Sequence, residues 1–114
     1  MSTWAVLQFG LAMIGGVPHR HPLPPPTPNV ALASWYDDSG QTASGRHYTY
    51  GFASLMFGSE WGRAIRFRHG SATVVGQLDD HGPYVSGRSF DLNAALKAAL
   101  GCSDLCSVRW GYVR

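Results

Sequence analysis

The chain predicts a mainly β, turn-rich single domain, and three observations carry that expectation. Its 114 residues include 14 Gly and 7 Pro, and 45% are hydrophobic while only 14% are charged, which suits many short elements joined by turns better than a helical bundle or a disordered tail. Several short stretches alternate apolar and polar residues with period two, the repeat of a half-buried strand. The length is sufficient, because a domain of this size buries roughly two-thirds of its unfolded surface and closes one core unaided.

In chain order, residues 1–17 form an apolar N-terminal segment, residues 18–29 a Pro-rich linker of extended, polyproline character, and residues 30–114 the folded domain. The apolar run from Trp4 to Val17 is too short for a membrane-spanning helix, and no Lys or Arg precedes it as a secretory signal would require. It is expected to dock on another protein or a membrane surface, or to act as a weak signal or anchor. Within the domain, Ala31 to Tyr36 reads as the first strand. Ala64 to Arg68 alternates and turns through His69-Gly70-Ser71 into Ala72 to Leu78, which leads directly to Asp80. Asn93 to Gly101 reads as a compact helix, with Asn93 as N-cap, Gly101 as left-handed terminator and Asp91 at its opening. Val108 to Val113 alternates again as a closing strand.

The chemistry concentrates in Asp80 to Asn93, DHGPYVSGRSFDLN. Asp80 and Asp91 stand eleven positions apart, with Gly-Pro after the first and Gly-Arg midway. Singly, an Asp before Gly-Pro is a turn former and an Asp before a helix favours its positive end. As a pair at element ends they suit glycan chemistry, where one group delivers a proton to the leaving oxygen and a carboxylate faces the developing cation. The net charge of +2, with no Lys/Arg run, is too small to imply a nucleic-acid partner, though it suits an anionic polymer. His19, His21, His47, His69 and His81 show no ligand spacing, and Cys102 with Cys106 is half a zinc site at best, so neither a metal nor a cofactor is expected. The two Cys read either as a small disulfide ring or as two buried thiols.

The pattern D-x-G-P-[aromatic]-x-x-G-R-x-x-D-L resembles the signature of the rare-lipoprotein-A family of double-psi β-barrel proteins. Ala33-Ser34-Trp35-Tyr36 is similar to the family's A-S-W-Y, Thr42-Ala43-Ser44-Gly45 to its T-A-x-G, Leu55-Met56-Phe57-Gly58-Ser59 to L-P-F-G-T, and Leu100-Gly101 with Val108-Arg109-Trp110 to its closing segment. The resemblance implies a six-stranded double-psi β-barrel with one or two short helices. It further implies a lytic transglycosylase that cleaves the MurNAc–GlcNAc bond of peptidoglycan glycan strands in the cell envelope, the periplasm or outside the cell. In that reading Asp80 is the acid/base and Asp91 its partner. Arg88 holds substrate or orients a carboxylate, Tyr36 and Tyr84 stack on sugar, His81 is a titratable donor beside Asp80, and Trp35 is buried packing. Two positions depart from the family pattern: Arg46 stands where it has an acid, and Phe52 where it has a His. Those departures keep two alternatives in view, a non-catalytic glycan-binding or wall-loosening module like that of expansins, and a phage virion or lysis component that retains the barrel.

Overall fold

In the computed structural model, which describes residues 27–37 and 39–113, the period-two stretches are strands of one closed barrel. The apolar segment 1–17 and the linker as far as residue 26 lie outside the described residues, as does Asp38. The strands are β1 (Asn29–Tyr36), β2 (Gly51–Ala53), β3 (Ala64–His69), β4 (Ala72–Asp80), β5 (Phe90–Asn93) and β6 (Cys106–Tyr112), with a single helix α1 (Ala94–Leu100) among the described residues. Around the barrel the order is β1-β5-β2-β4-β3-β6, and β6 returns to pair with β1. Two pairs, β1–β5 and β2–β4, are parallel, and the other four are antiparallel. Parallel neighbours cannot be joined by a tight hairpin, so the chain crosses the barrel ends in long loops. This is the double-psi barrel expected from the sequence.

Alternation explains the core. Ile65 and Phe67 on β3, Leu78 on β4, Phe90 and Leu92 on β5, and Val108 on β6 are all almost fully buried. Phe52, Phe67 and Phe90 meet edge to face at the centre, with ring centroids 5.0–5.7 Å apart. Such aromatic pairs add about 0.5–1.5 kcal/mol each beyond the area they bury. Phe52 is therefore a core residue.

The helix is placed as its ends predict. The Asn93 side chain accepts from Leu96 N at 2.8 Å, and Gly101 adopts φ 68° as the left-handed cap. Leu96 and Leu100 pack inward against the barrel. Two expectations are corrected. Asp91 does not open the helix but lies within β5, because Phe90 and Leu92 alternate into the core and delay the cap to Asn93. Trp35 is not buried: it is 42% exposed, and the Lys97 ammonium lies 5.4 Å from its ring. Ala33, two residues earlier on the same face of β1, is buried, but near the strand end Trp35 is left uncovered. Cys102 and Cys106 form a disulfide that ties the end of α1 to the start of β6, with Cα atoms 5.5 Å apart.

Candidate functional site

The site begins with a β-bulge. Phe52 of β2 pairs with Leu78 on one side, yet the next residue, Ala53, pairs with Asp80, so Asp79 is an extra residue on β4. In an unbroken pleat Asp80 would share the inward face of Leu78. The bulge shifts it onto the face of Ala53, the re-aiming that bulges provide. On its other side Ala53 pairs with Asp91 of β5. Directly opposed residues share a face, so Asp80 and Asp91 flank Ala53 on the same side of the sheet, two strand spacings or roughly 10 Å apart at Cα.

The loop 81–89 that joins the two strands arches over the end of β2 between them, which is why the two acids need eleven residues of separation. Buried Ser54 fastens this arch: its backbone N donates to Asp80 O at 3.2 Å and its hydroxyl to Ser89 O at 3.1 Å. A Cβ placed on Gly82 would lie 4.0 Å from Asp91 Oδ2 and 3.7 Å from the Tyr84 ring, so the turn after Asp80 borders Asp91.

Each carboxylate is held by one oxygen. Asp80 Oδ1 accepts from Ala43 N at 3.0 Å and from His81 N at 2.8 Å, so it is fixed by the Thr42–Arg46 loop as well as by its own turn. Asp91 Oδ1 is hydrogen-bonded to the Ser34 hydroxyl of β1. No described residue hydrogen-bonds Oδ2 of either acid. Both side chains are half-buried, which leaves those oxygens a route to a ligand.

The other expected site residues divide. Tyr84 stands 78% exposed in the arch, free to offer a ring face. Arg88 is half-buried, and its guanidinium has no hydrogen-bond or ion-pair partner among the described residues. Tyr36 is tied elsewhere, its hydroxyl donating to Asp79 Oδ1 at 2.6 Å. The His81 ring packs on Trp61 with centroids 4.8 Å apart and turns Nε2 toward Gly58 O, at 3.2 Å, and Ser59 Oγ, so it clamps two loops rather than facing the acids. Arg46 reaches the Tyr48 hydroxyl at 3.1 Å and not Asp80, while the Thr42 hydroxyl donates to Arg46 O at 2.6 Å to close the loop.

One residue escaped the sequence reading. Asp79 is fully buried, and its Oδ2 would lie 2.1 Å from a Cβ on Gly51, with Asn93 Nδ2 3.3 Å from the same point. Asp79, Tyr36, Asn93 and Gly51 thus gather the ends of β4, β1, β5 and β2 at one polar anchor beneath the site. The Asp-Asp doublet is the available signal, since adjacent acids at a strand end cannot both occupy the same surface unless the strand is irregular. No family model matches this chain, and no curated protein sequence matches it.

Proposed function

We propose that the protein cleaves peptidoglycan glycan strands as a lytic transglycosylase, with Asp80 as acid/base. The observation that supports this most is the register at Ala53, which sets two half-buried acids on one face, each anchored through Oδ1 and each with Oδ2 open. The similarity of the Asp80–Asn93 pattern to the rare-lipoprotein-A signature points the same way.

In the proposed reaction Asp80 delivers its proton to the glycosidic oxygen as the bond from that oxygen to C1 of MurNAc breaks. Asp91 faces the positive charge that develops at C1 and the ring oxygen. The 6-hydroxyl oxygen of the same MurNAc then bonds to C1, and its proton returns to Asp80, leaving a 1,6-anhydro ring and a GlcNAc with a free 4-hydroxyl. The sugar supplies its own nucleophile, so no water has to be seated between the acids. Tyr84 offers an exposed ring for a sugar face, and the Arg88 guanidinium, without a partner among the described residues, a charge-assisted hydrogen bond to a carboxylate or hydroxyl.

A second reading is a glycan-binding or wall-loosening module, favoured by one observation: neither the His81 ring nor the Arg46 guanidinium hydrogen-bonds an acid, so among the described residues no basic side chain assists them. Incubation of purified peptidoglycan with the protein and with Asp80→Asn distinguishes the two. Anhydromuropeptides from the unmutated protein alone, detected by mass spectrometry, are the expected result. Their absence, with the protein still pelleting with the polymer, establishes the binding module instead.

A further inference from the structure

A second surface of the barrel carries chemistry that the acids do not use. On the wall made by β3 and β6, Arg68 pairs directly with Arg109. Opposed residues share a face, and like charges placed there destabilise a sheet unless something offsets the repulsion. No carboxylate among the described residues pairs with either arginine. Both line an open cavity of about 450 Å³, together with Thr27, Val30, His69 and Ser107. That volume falls within the range of small-molecule sites. Arg66, the preceding outward residue of β3, also buries its Nη1 atom without a hydrogen-bond partner.

These observations converge on one class of ligand. Two exposed arginines that share a face and border one cavity offer planar guanidinium forks suited to the oxygens of a phosphoryl or carboxylate group, which each can bind bidentately. The Ser107 and Thr27 hydroxyls add neutral donors, and the His69 ring stands at the rim with Nδ1 engaged at 2.9 Å by Leu100 O. An anion seated there removes the repulsion that the bare pair carries. We infer that the β3–β6 cavity is an anion-binding site for a phosphoryl- or carboxylate-bearing group, separate from the Asp80/Asp91 end. The separation is structural: β4 leaves the His69–Ala72 turn beside the cavity and reaches Asp80 only at its far end, roughly 25 Å away along an extended strand. The site therefore stands or falls independently of the glycan reading.

The test is amide-resolved NMR titration of the full chain with inorganic phosphate and, separately, with sodium acetate, each against sodium chloride of equal ionic strength. Saturable shifts at Arg68, His69, Ser107 and Arg109, with the Asp80 and Asp91 amides unmoved, are expected. Arg68→Gln and Arg109→Gln should each weaken binding roughly tenfold, and the melting temperature at low salt should hold or rise because the like-charge pair is gone. A stronger response to phosphate assigns a phosphoryl-bearing ligand and a stronger response to acetate a carboxylate-bearing one. Shifts with neither anion, or shifts that persist unchanged in the double variant, overturn the site. Should Arg109→Gln fail to fold, Arg68→Lys keeps the charge and loses the fork, and several-fold weaker binding is then the expected result and unchanged binding the overturning one.

Discussion

Asp79 and Asp80 are neighbours in the chain and opposites in setting. Asp79 is sealed among Tyr36, Asn93 and Gly51, where four strand ends meet, and nothing outside the protein reaches it. Asp80 keeps one oxygen on backbone N–H groups and leaves the other open, with Asp91 in the same posture across Ala53. The difference separates a carboxylate that holds the barrel from one that can serve a ligand. A single inserted residue, the bulge, creates both environments at once.

That contrast can be broken by substitution. Its sharpest test is Asp80→Asn, which keeps the Oδ1 acceptor and therefore both backbone hydrogen bonds. Release of anhydromuropeptides should fall by about 10²–10⁴-fold, while the unfolding free energy stays within about 0.5 kcal/mol. A loss of stability comparable with that of the Asp79 variant would erase the distinction between the two acids. Asp79→Ala should show the reverse pattern, costing about 3 kcal/mol in denaturant unfolding, because the Tyr36 hydroxyl loses its buried acceptor and a cavity opens beneath the site.

Gly51→Ala probes the same anchor without touching a charge. The new methyl would lie 2.1 Å from Asp79 Oδ2, so the carboxylate must move, and a loss of about 2 kcal/mol is expected in the same unfolding measurement. Ser34→Ala gives the smallest change, about 1 kcal/mol, since it removes one hydrogen bond from a half-buried acid. Its sharper readout is the glycan product, which should decline while Asp80 is intact if Asp91 must be held in place.

Much of the fold was legible because alternation and capping are local. Ile65 and Phe67, Val108 on the closing strand, and the Asn93 and Gly101 caps announce their places through spacing alone, whereas the short strand of Phe90 and Leu92 did not. Strand β2 was not legible, since Gly51–Ala53 is too short to show a period and gains its pairing from β4 and β5. The acids of the candidate site were legible as a pair, but the bulge that puts them on one face was not. It depends on the register of β4 against a strand remote in sequence. His81 and Tyr36 were assigned to the site by their position in the motif, and their partners Trp61 and Asp79 are set by tertiary packing that no spacing encodes. The arginine pair of the β3–β6 wall was hidden for the same reason, because Arg68 and Arg109 become neighbours only when the barrel closes.

Barrel closure also governs when this domain can come into being. Among the described residues, strand β1 has as its two neighbours β5 and β6, the last two strands in chain order, and Asn29 reaches across 81 residues to donate to Trp110 O. During synthesis this strand therefore emerges before either of its partners. It stays an unpaired edge until Cys106–Tyr112 has left the ribosome, and folding dominated by such distant pairings is slow. A nascent chain stalled before β6 would expose β1 as a template for another copy, whereas the finished barrel has no edge to offer.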